Sequence, residues 1–304
     1  MTAVAIDDRK SCGSSKPSAL HRRARRDDSA SHRSSEYREK VDAHEAADIE
    51  EHARLRTPII YEIVRREGEA EMSRPLSSLW WSGLAAGLSI SFSLLAQAIL
   101  YVHLPDVPWR PLVSSFGYSV GFLIVVLARQ QLFTENTITV VLPLMAAFNA
   151  VNLRRLSRMW AVVLIANLVG TLCAALFCRY SLVLTPLLRD GMLELSREMM
   201  GNGWLEMFFK GVAAGFLIAT MVWVIPSAEG ATFQVVTMAT YLIAVGGFTH
   251  IVAGSFEGFL LVVNGQLRLW HMISEFTIPV LLGNIVGGTA LFAVLSYAQV
   301  KDEM

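Results

Sequence analysis

Six apolar segments follow one another between residues 79 and 298, each at least as long as a bilayer crossing requires. A membrane-spanning helix needs roughly 20 mostly apolar residues. The segments are predicted at 79–102, 116–144, 160–183, 204–225, 233–263 and 273–298. The second and the fifth are longer than one straight helix needs. We therefore predict an all-α membrane protein with six transmembrane helices.

The charged residues are concentrated before these segments. Residues 1–77 hold 15 of the 26 Lys and Arg residues and 15 of the 26 Asp and Glu residues. Low hydrophobicity with mixed charge predicts a disordered tail over residues 1–42. An apolar stripe opposite charged residues predicts an amphipathic helix on the membrane surface over residues 43–72. A transmembrane channel domain then occupies residues 73–300.

The orientation follows from the tail. No apolar run of the length found in a signal peptide occurs before residue 78, so we expect the tail to stay in the cytoplasm. An even number of crossings returns the C-terminus to the same side. Arginines and lysines show a soft bias towards the predicted inner loops, which agrees with this orientation.

The fifth segment contains an unusual group of residues in its middle. Gly246 and Gly247 precede Phe248-Thr249-His250, with apolar sequence on both sides. A histidine at membrane depth is costly unless it faces a cavity or a partner, and paired glycines permit backbone that a continuous helix does not use. We predict a helix interrupted at His250. The alternative is an ordinary crossing with one buried, hydrogen-bonded histidine.

The second segment is also polar in its middle, from Arg129 to Asn136. The second and fifth segments hold corresponding positions in two halves of three crossings each, so the halves insert with opposite orientations. Each segment carries a Phe-Thr pair, Phe133-Thr134 in one and Phe248-Thr249 in the other. Interrupted helices at matching positions of inverted halves indicate a transport site.

These residues resemble a known family. GYSVGFLIVVLARQQLFTENT in the second segment and GGFTHIVAGSFEGF in the fifth are similar to the two motifs of the formate/nitrite transporter family. The similarity covers about residues 72–300 and is greatest to an inner-membrane branch of the family. It implies an aquaporin-like inverted repeat, a homopentamer in a bacterial-type inner membrane, and one path for small monovalent anions in each protomer. It implies no cofactor and no nucleic-acid partner.

The resemblance also implies roles for individual residues. His250 is the central pore histidine, and Thr134 is its hydrogen-bonding partner on the opposite interrupted helix. Leu132 and Phe133 lie at a constriction, and Thr249 adjoins the histidine. Four further apolar side chains fall at pore-lining positions of the family, with helix packing as the alternative for the aliphatic ones: Tyr118, Phe122, Ile218 and Ile243.

Four positions depart from the family pattern. Arg129 stands where the family usually has glycine, and Gln131 stands where it has an acidic residue. Thr249 replaces an acidic residue before the histidine, and a family asparagine falls on Gly215. We expect Arg129 to attract anions at the cytoplasmic side of the path.

A weak-acid anion suits such a path. A bare anion loses much hydration energy in a low-dielectric passage, and a protonatable imidazole can reduce this cost. We therefore predict a channel or proton-coupled transporter for small monovalent weak-acid anions. The alternatives are a neutral-solute pore of the water or glycerol type and a membrane scaffold or sensor with a closed pore. The spans contain no nucleophile–base set, which argues against an enzyme.

Overall fold

The computed structural model describes residues 55–228 and 230–303, and all regular secondary structure in these residues is helical. The predicted tail over residues 1–42 and the first part of the predicted surface helix lie outside the described residues. The described surface helix begins at Thr57, with Pro58 in its first turn. Proline is well tolerated there, because the first amide groups of a helix have no partner within it.

The helices alternate with short turns along the chain. Their bounds are α1 Thr57–Ser73, α2 Leu76–Ile90, α3 Phe92–His103, α4 Arg110–Ser114, α5 Ser119–Leu127, α6 Asn136–Thr139, α7 Val141–Ala146, α8 Ala150–Tyr180, α9 Pro186–Met200, α10 Trp204–Val224, α11 Thr232–Val245, α12 Ile251–Val263, α13 Leu269–Met272, α14 Ile278–Ile285 and α15 Val294–Val300. Two 3₁₀ turns lie at Ser115–Tyr118 and Ile225–Ser227, and two π-helical stretches at Ile273–Thr277 and Val286–Ala293.

Five helical stretches of the described chain are long and apolar enough to cross a membrane. They are Leu76–His103, Arg110–Leu127, Ala150–Tyr180, Trp204–Ser227 and Leu269–Val300. The predicted fifth segment is formed instead by two shorter apolar helices, α11 and α12. The second segment ends early, at Leu127, and its remainder forms the short helices α6 and α7. These helices fit a multi-pass membrane protein.

Helix α1 packs against the helical body through one side. Ile60, Tyr61 and Val64 are buried, whereas Ile59 is exposed. The opposite side carries charges, and Arg65 and Arg66 donate hydrogen bonds to Glu62. These two guanidinium groups lower the pKa of the Glu62 carboxyl to about 2. The amphipathic pattern therefore contacts the protein with part of its apolar stripe.

One helix was not predicted from the sequence. Helix α9 lies between the third and fourth predicted crossings, and the Thr185 hydroxyl caps its first turn by accepting a hydrogen bond from Leu188 N. The Thr-Pro pair at its start is a recognised signal for a helix N-terminus. Its residues are amphipathic rather than uniformly apolar, so a search for membrane crossings passes over it.

The two halves pack their helices in the same way. A Cβ added to Gly87 of α2 would lie 2.2 Å from the carbonyl oxygen of Asn167 in α8. A Cβ added to Gly215 of α10 would lie 2.4 Å from the carbonyl oxygen of Asn284 in α14. Small residues let membrane helices approach closely. The backbones are therefore in direct contact at equivalent places in both halves.

This close contact gives a first prediction. Gly87→Ala should lower the free energy of unfolding by about 2–3 kcal/mol, because the added methyl group overlaps backbone atoms of α8. The measurement is the thermal unfolding of the detergent-solubilised protein. Gly203→Ala is the control, since a Cβ there meets nothing within 4 Å. Equal unfolding temperatures for both variants would show that α2 and α8 are not tightly packed.

Candidate functional site

The site is built where two helices end inside the protein. Helix α5 ends at Leu127 and α11 ends at Val245, and each is followed by a residue with positive φ, Arg129 at 51° and Gly247 at 60°. The closing hydrogen bonds also match. Gln130 N donates to Val125 O at 3.0 Å, and Phe248 N donates to Ile243 O at 2.9 Å. Both helices thus end in the same left-handed cap.

A buried asparagine holds the chain after the first cap. Asn167 of α8 accepts a hydrogen bond from Phe133 N at 2.9 Å. Its amide nitrogen donates to Gln131 O at 2.9 Å and to Gly83 O at 2.8 Å. Non-helical backbone at membrane depth must find its hydrogen-bond partners within the protein. Asn167 supplies three such partners, two to the segment after the cap and one to Gly83 O of α2.

Asn284 of α14 plays the same part after the second cap. It accepts from Ile251 N at 2.8 Å and donates to Thr249 O at 3.0 Å and to Gly211 O at 2.8 Å. Each asparagine therefore joins the two backbone groups of a broken segment to the carbonyl of a neighbouring helix. Sequence reasoning missed both residues, although a lone asparagine within an apolar crossing is a recognisable signal.

These bonds give the register of the internal repeat. They match Gln131 with Thr249 and Phe133 with Ile251. The sequence analysis predicts instead that Phe133-Thr134 in the second segment corresponds to Phe248-Thr249 in the fifth. That register is wrong. The two Phe-Thr pairs lie at different places relative to the caps, so their similarity is local and does not mark equivalent positions.

His250 and Thr134 meet between the two broken segments. The Nε2 atom of His250 lies 2.6 Å from the Thr134 hydroxyl oxygen, and both side chains are almost completely buried. His250 immediately precedes α12, and its Nδ1 accepts a hydrogen bond from Ala253 N at 3.2 Å. A backbone N–H can only donate, so Nδ1 must be the acceptor.

This arrangement determines which atoms of the His250–Thr134 pair carry hydrogen. With Nδ1 accepting, a neutral imidazole carries its hydrogen on Nε2 and directs it at the Thr134 oxygen. The Thr134 hydroxyl can then donate its own hydrogen to another molecule. The pair can therefore offer a hydrogen-bond donor to a small acceptor, and protonation of His250 would require Nδ1 to release Ala253 N.

The predicted apolar residues belong to one buried cluster, in which Phe122 packs against the His250 imidazole. Phe122 presents its ring at 80° to the imidazole, with centroids 5.0 Å apart. The Tyr118 ring lies 5.3 Å from Phe122, and the Phe133 ring packs against Trp160 at 5.6 Å. Leu132, Ile218 and Ile243 belong to the same buried cluster, together with many further apolar residues. Thr249 adjoins His250 in the chain, and its hydroxyl donates a hydrogen bond to Met207 O at 2.9 Å.

Two cavities open at opposite ends of the same helices. The His250 cavity, of about 260 Å³, is lined by His250, Tyr118, Thr249, Lys210 and Glu257 among others. The Arg129 cavity, of about 830 Å³, is lined by Arg129, Gln131, Glu135, Glu67 and Glu71 among others. Helix α10 contributes its beginning to the first and its end to the second. The buried cluster around His250 separates them.

Comparisons with known proteins identify the family of the chain. The family model described as Formate/nitrite transporter matches residues 58–298. The chain belongs to the formate/nitrite transporter family. It is 45% identical over 249 residues to the inner membrane protein YfdC of Escherichia coli, covering 82% of this chain and 80% of that protein. It is 26% identical to the formate channel FocA of Haemophilus influenzae, covering 73% and 86%.

Two solved structures share the fold. A pentameric formate channel with formate bound superimposes with a TM-score of 0.63 at 21% identity, covering 74% of this chain and 97% of that one. An FNT family ion channel gives a TM-score of 0.67 at 19% identity, covering 80% and 98%. At these identities the two structures show a shared fold, and membership of the family rests on the family model and on the similarity to the inner membrane protein.

Within this transporter, the Gln131 departure has a structural reason. The Gln131 side chain donates to a Glu71 carboxylate oxygen at 2.8 Å, and the same oxygen accepts from Arg74 at 2.9 Å. An acidic residue at position 131 would place a second carboxylate beside Glu71. The glycine at position 215, where the family has asparagine, is explained by packing, because the Asn284 backbone leaves no room for a side chain there.

Arg129 lies at the mouth of its cavity. Its side chain is 87% exposed and approaches Glu67 at 3.8 Å, rather than pairing with Glu135. Burial raises the pKa of the Glu67 carboxyl, and the Arg129 charge opposes that rise. An exposed guanidinium at the lining of a cavity can attract anions.

Two variants separate the charge of Arg129 from its backbone conformation. Arg129→Gly should raise the free energy of unfolding by about 1 kcal/mol, because glycine adopts positive φ without strain. It should also slow anion entry or change selectivity, while assembly is retained. Arg129→Gln removes the charge but keeps the strain, so it should affect entry alone. Unchanged anion flux in both variants would show that Arg129 has no role in anion entry. The measurements are liposome flux and thermal unfolding.

Proposed function

We propose that this protein is a channel or proton-coupled transporter for small monovalent weak-acid anions. One observation carries the proposal: the buried contact between His250 Nε2 and Thr134 Oγ1 lies between two cavities at opposite ends of the helices. A titratable donor that is buried between two cavities suits a solute that must lose its charge to pass.

The proposed topology has six crossings. Five are the long apolar helices, and α11 with α12 forms the remaining one, interrupted at residues 246–250. Segment 128–135 with α6 and α7 is the matching interruption in the first half. The equivalent caps and asparagine contacts support an aquaporin-like inverted repeat. We place both termini in the cytoplasm, with residues 1–42 as a tail and 73–300 as the channel domain.

The proposed mechanism moves a proton at His250. An anion in the His250 cavity favours the imidazolium form, because opposite charges attract strongly in a low-dielectric site. His250 takes a proton from cavity water when Nδ1 releases Ala253 N, and the imidazolium then gives a proton to the anion. The neutral acid crosses the apolar cluster, and the imidazole returns to the form in which Nδ1 accepts from Ala253 N. Thr134 supplies a hydrogen bond during this step but no proton, because a hydroxyl does not ionise near neutral pH.

The relatives support the substrate class and the assembly. The relative from Haemophilus influenzae is named a formate channel, and another, from Bacillus thuringiensis, carries the same description. The superimposed channel with bound formate is pentameric. We therefore propose formate- or nitrite-like anions as substrates and a homopentamer in the inner membrane, with Leu132, Phe122, Ile218 and Ile243 lining the path.

A solute panel tests this function. The purified chain in liposomes should conduct formate, nitrite, acetate or hydrosulfide and exclude glycerol, as measured by stopped-flow light scattering and intravesicular pH. A chain lacking residues 1–42 should conduct equally well. Glycerol flux without anion flux would indicate a neutral-solute pore. Absence of all flux would favour a scaffold or sensor.

Assembly gives a separate prediction. Native mass spectrometry in mild detergent should show five copies of the chain. Exposed apolar side chains on the described crossings, such as Phe92, Phe177 and Phe209, provide surface for contact with lipid or neighbouring copies. A spectrum that contains only monomers and dimers, under conditions that keep a known pentamer intact, would contradict the pentamer.

A further inference from the structure

Glu257 is a buried carboxyl group that the mechanism above does not use. It lies on α12, seven residues after His250, which places the two on about the same side of the helix and roughly 10 Å apart along its axis. Only 8% of Glu257 is exposed, and its side chain lines the His250 cavity. The small surface that it does expose faces this cavity.

Glu257 has no polar partner in the described protein. Across residues 55–228 and 230–303, no group forms a hydrogen bond or an ion pair with its carboxyl oxygens. Lys210, the cation of the same cavity, is already engaged by Glu206 at 2.7 Å and by Asn202 at 2.6 Å. A buried carboxyl group normally has a partner or stays neutral. Glu257 is therefore either neutral or bound to a partner that enters the cavity.

The surroundings limit what that partner can be. The titratable and charged groups that line the cavity with Glu257, from all the elements around it, are Tyr101, Tyr118, Glu198, Lys210 and His250. Glu198 adds a second negative charge, so a carboxylate at position 257 would repel an anion. A protonated carboxyl group would instead donate a hydrogen bond to it.

We propose that Glu257 is a second protonation site of the transporter, which binds the anion in its protonated form and releases it when ionised. This proposal rests on the proposed function. The Glu257 O–H donates a hydrogen bond to the anion and keeps its proton, so the anion takes its proton from His250 alone. When Glu257 gives its proton to cavity water as hydronium, the carboxylate that remains repels the anion, and uptake of a proton from hydronium restores the binding form.

Glu257 and His250 should therefore control different parameters. Glu257 sets the affinity of the cavity, and His250 sets the rate through the buried cluster. The half-saturating anion concentration of the wild type should rise by about tenfold or more between acidic and alkaline pH, because a like charge replaces a hydrogen-bond donor. The maximal flux should follow His250 instead.

The test measures concentration-dependent formate uptake in liposomes at several pH values. In Glu257→Gln, whose amide always donates, the half-saturating concentration should stay low and flat with pH. In Glu257→Leu it should be high at every pH. Glu198→Gln is the matched control, since it removes an exposed carboxylate from the same cavity and should keep the pH dependence. A wild-type pH dependence retained in Glu257→Gln would overturn the proposal.

Infrared spectroscopy gives an independent measurement on the full chain without flux. The wild type should show the carbonyl stretch of protonated carboxylic acids; one component of this band should be missing in Glu257→Gln and shifted in frequency in Glu257→Asp, whereas any component from Glu135, whose Oε1 is also buried without a partner, should remain. Added formate should move its titration to higher pH. If the wild type conducts no anion, the proposed function fails, and this band still decides whether Glu257 is a protonated group that responds to formate. Absence of the band, or of the response, would overturn the proposal.

Discussion

His250→Asn should fold and assemble but lose the pH dependence of maximal anion flux. In the wild type, maximal flux should fall by up to about tenfold for each pH unit above the titration of the imidazole, because each lost proton removes one donor. Asparagine has a polar group of similar reach that cannot titrate. The variant should therefore conduct anions at a rate independent of pH, or not conduct them at all.

His271→Asn is the matched control for this experiment. His271 is exposed, near the start of the last long helix, so its loss should leave the pH profile unchanged. Uptake is measured at saturating anion, with the protein content of each liposome preparation checked. Identical profiles for wild type and His250→Asn would return His250 to a structural role as the residue that caps α12.

Asn284→Leu should produce the largest loss of stability. Leucine fills a similar volume but leaves Ile251 N, Thr249 O and Gly211 O without their partner. A buried unsatisfied polar group costs about 1–3 kcal/mol, so the three together predict a loss of about 3–9 kcal/mol. The measurement is unfolding of the detergent-solubilised protein. Asn167→Leu should have a similar effect, because its contacts are equivalent.

Asn264→Ala distinguishes this effect from the general loss of an asparagine. The Asn264 side chain makes one hydrogen bond, to Leu260 O at 2.7 Å, near the end of α12. Its removal should cost about 1 kcal/mol. If Asn284→Leu and Asn264→Ala unfolded alike, the broken segment after α11 would not depend on Asn284.

The sequence predicted the main features of this fold because they follow from hydrophobicity. Most of the apolar segments coincide with long apolar helices, and the polar stretches after Leu127 and Val245 coincide with helix ends. The resemblance to the family motifs also predicted the contact between His250 and Thr134 that the structure contains. A helix end within an apolar segment can be recognised from the sequence, because polar residues and paired glycines are rare in such segments.

The hydrogen bonds that stabilise the two interrupted segments were harder to predict. Asn167 and Asn284 each lie within an apolar segment, far along the chain from the backbone that they bind, so no local pattern shows their partners. Their matching surroundings, Gly83-x-x-x-Gly87 and Gly211-x-x-x-Gly215, appear only once the helices are paired in space. Arg129 also occupies a left-handed position, which local propensity assigns to glycine.

The most direct test of the account is simultaneous uptake of two differently labelled solutes, formate and glycerol, by one preparation of liposomes containing the full-length chain. The account predicts that formate enters well above the rate in protein-free liposomes, that its entry increases as the external pH falls, and that glycerol enters no faster than in protein-free liposomes. Entry of glycerol without formate would contradict an anion path through His250 and Thr134.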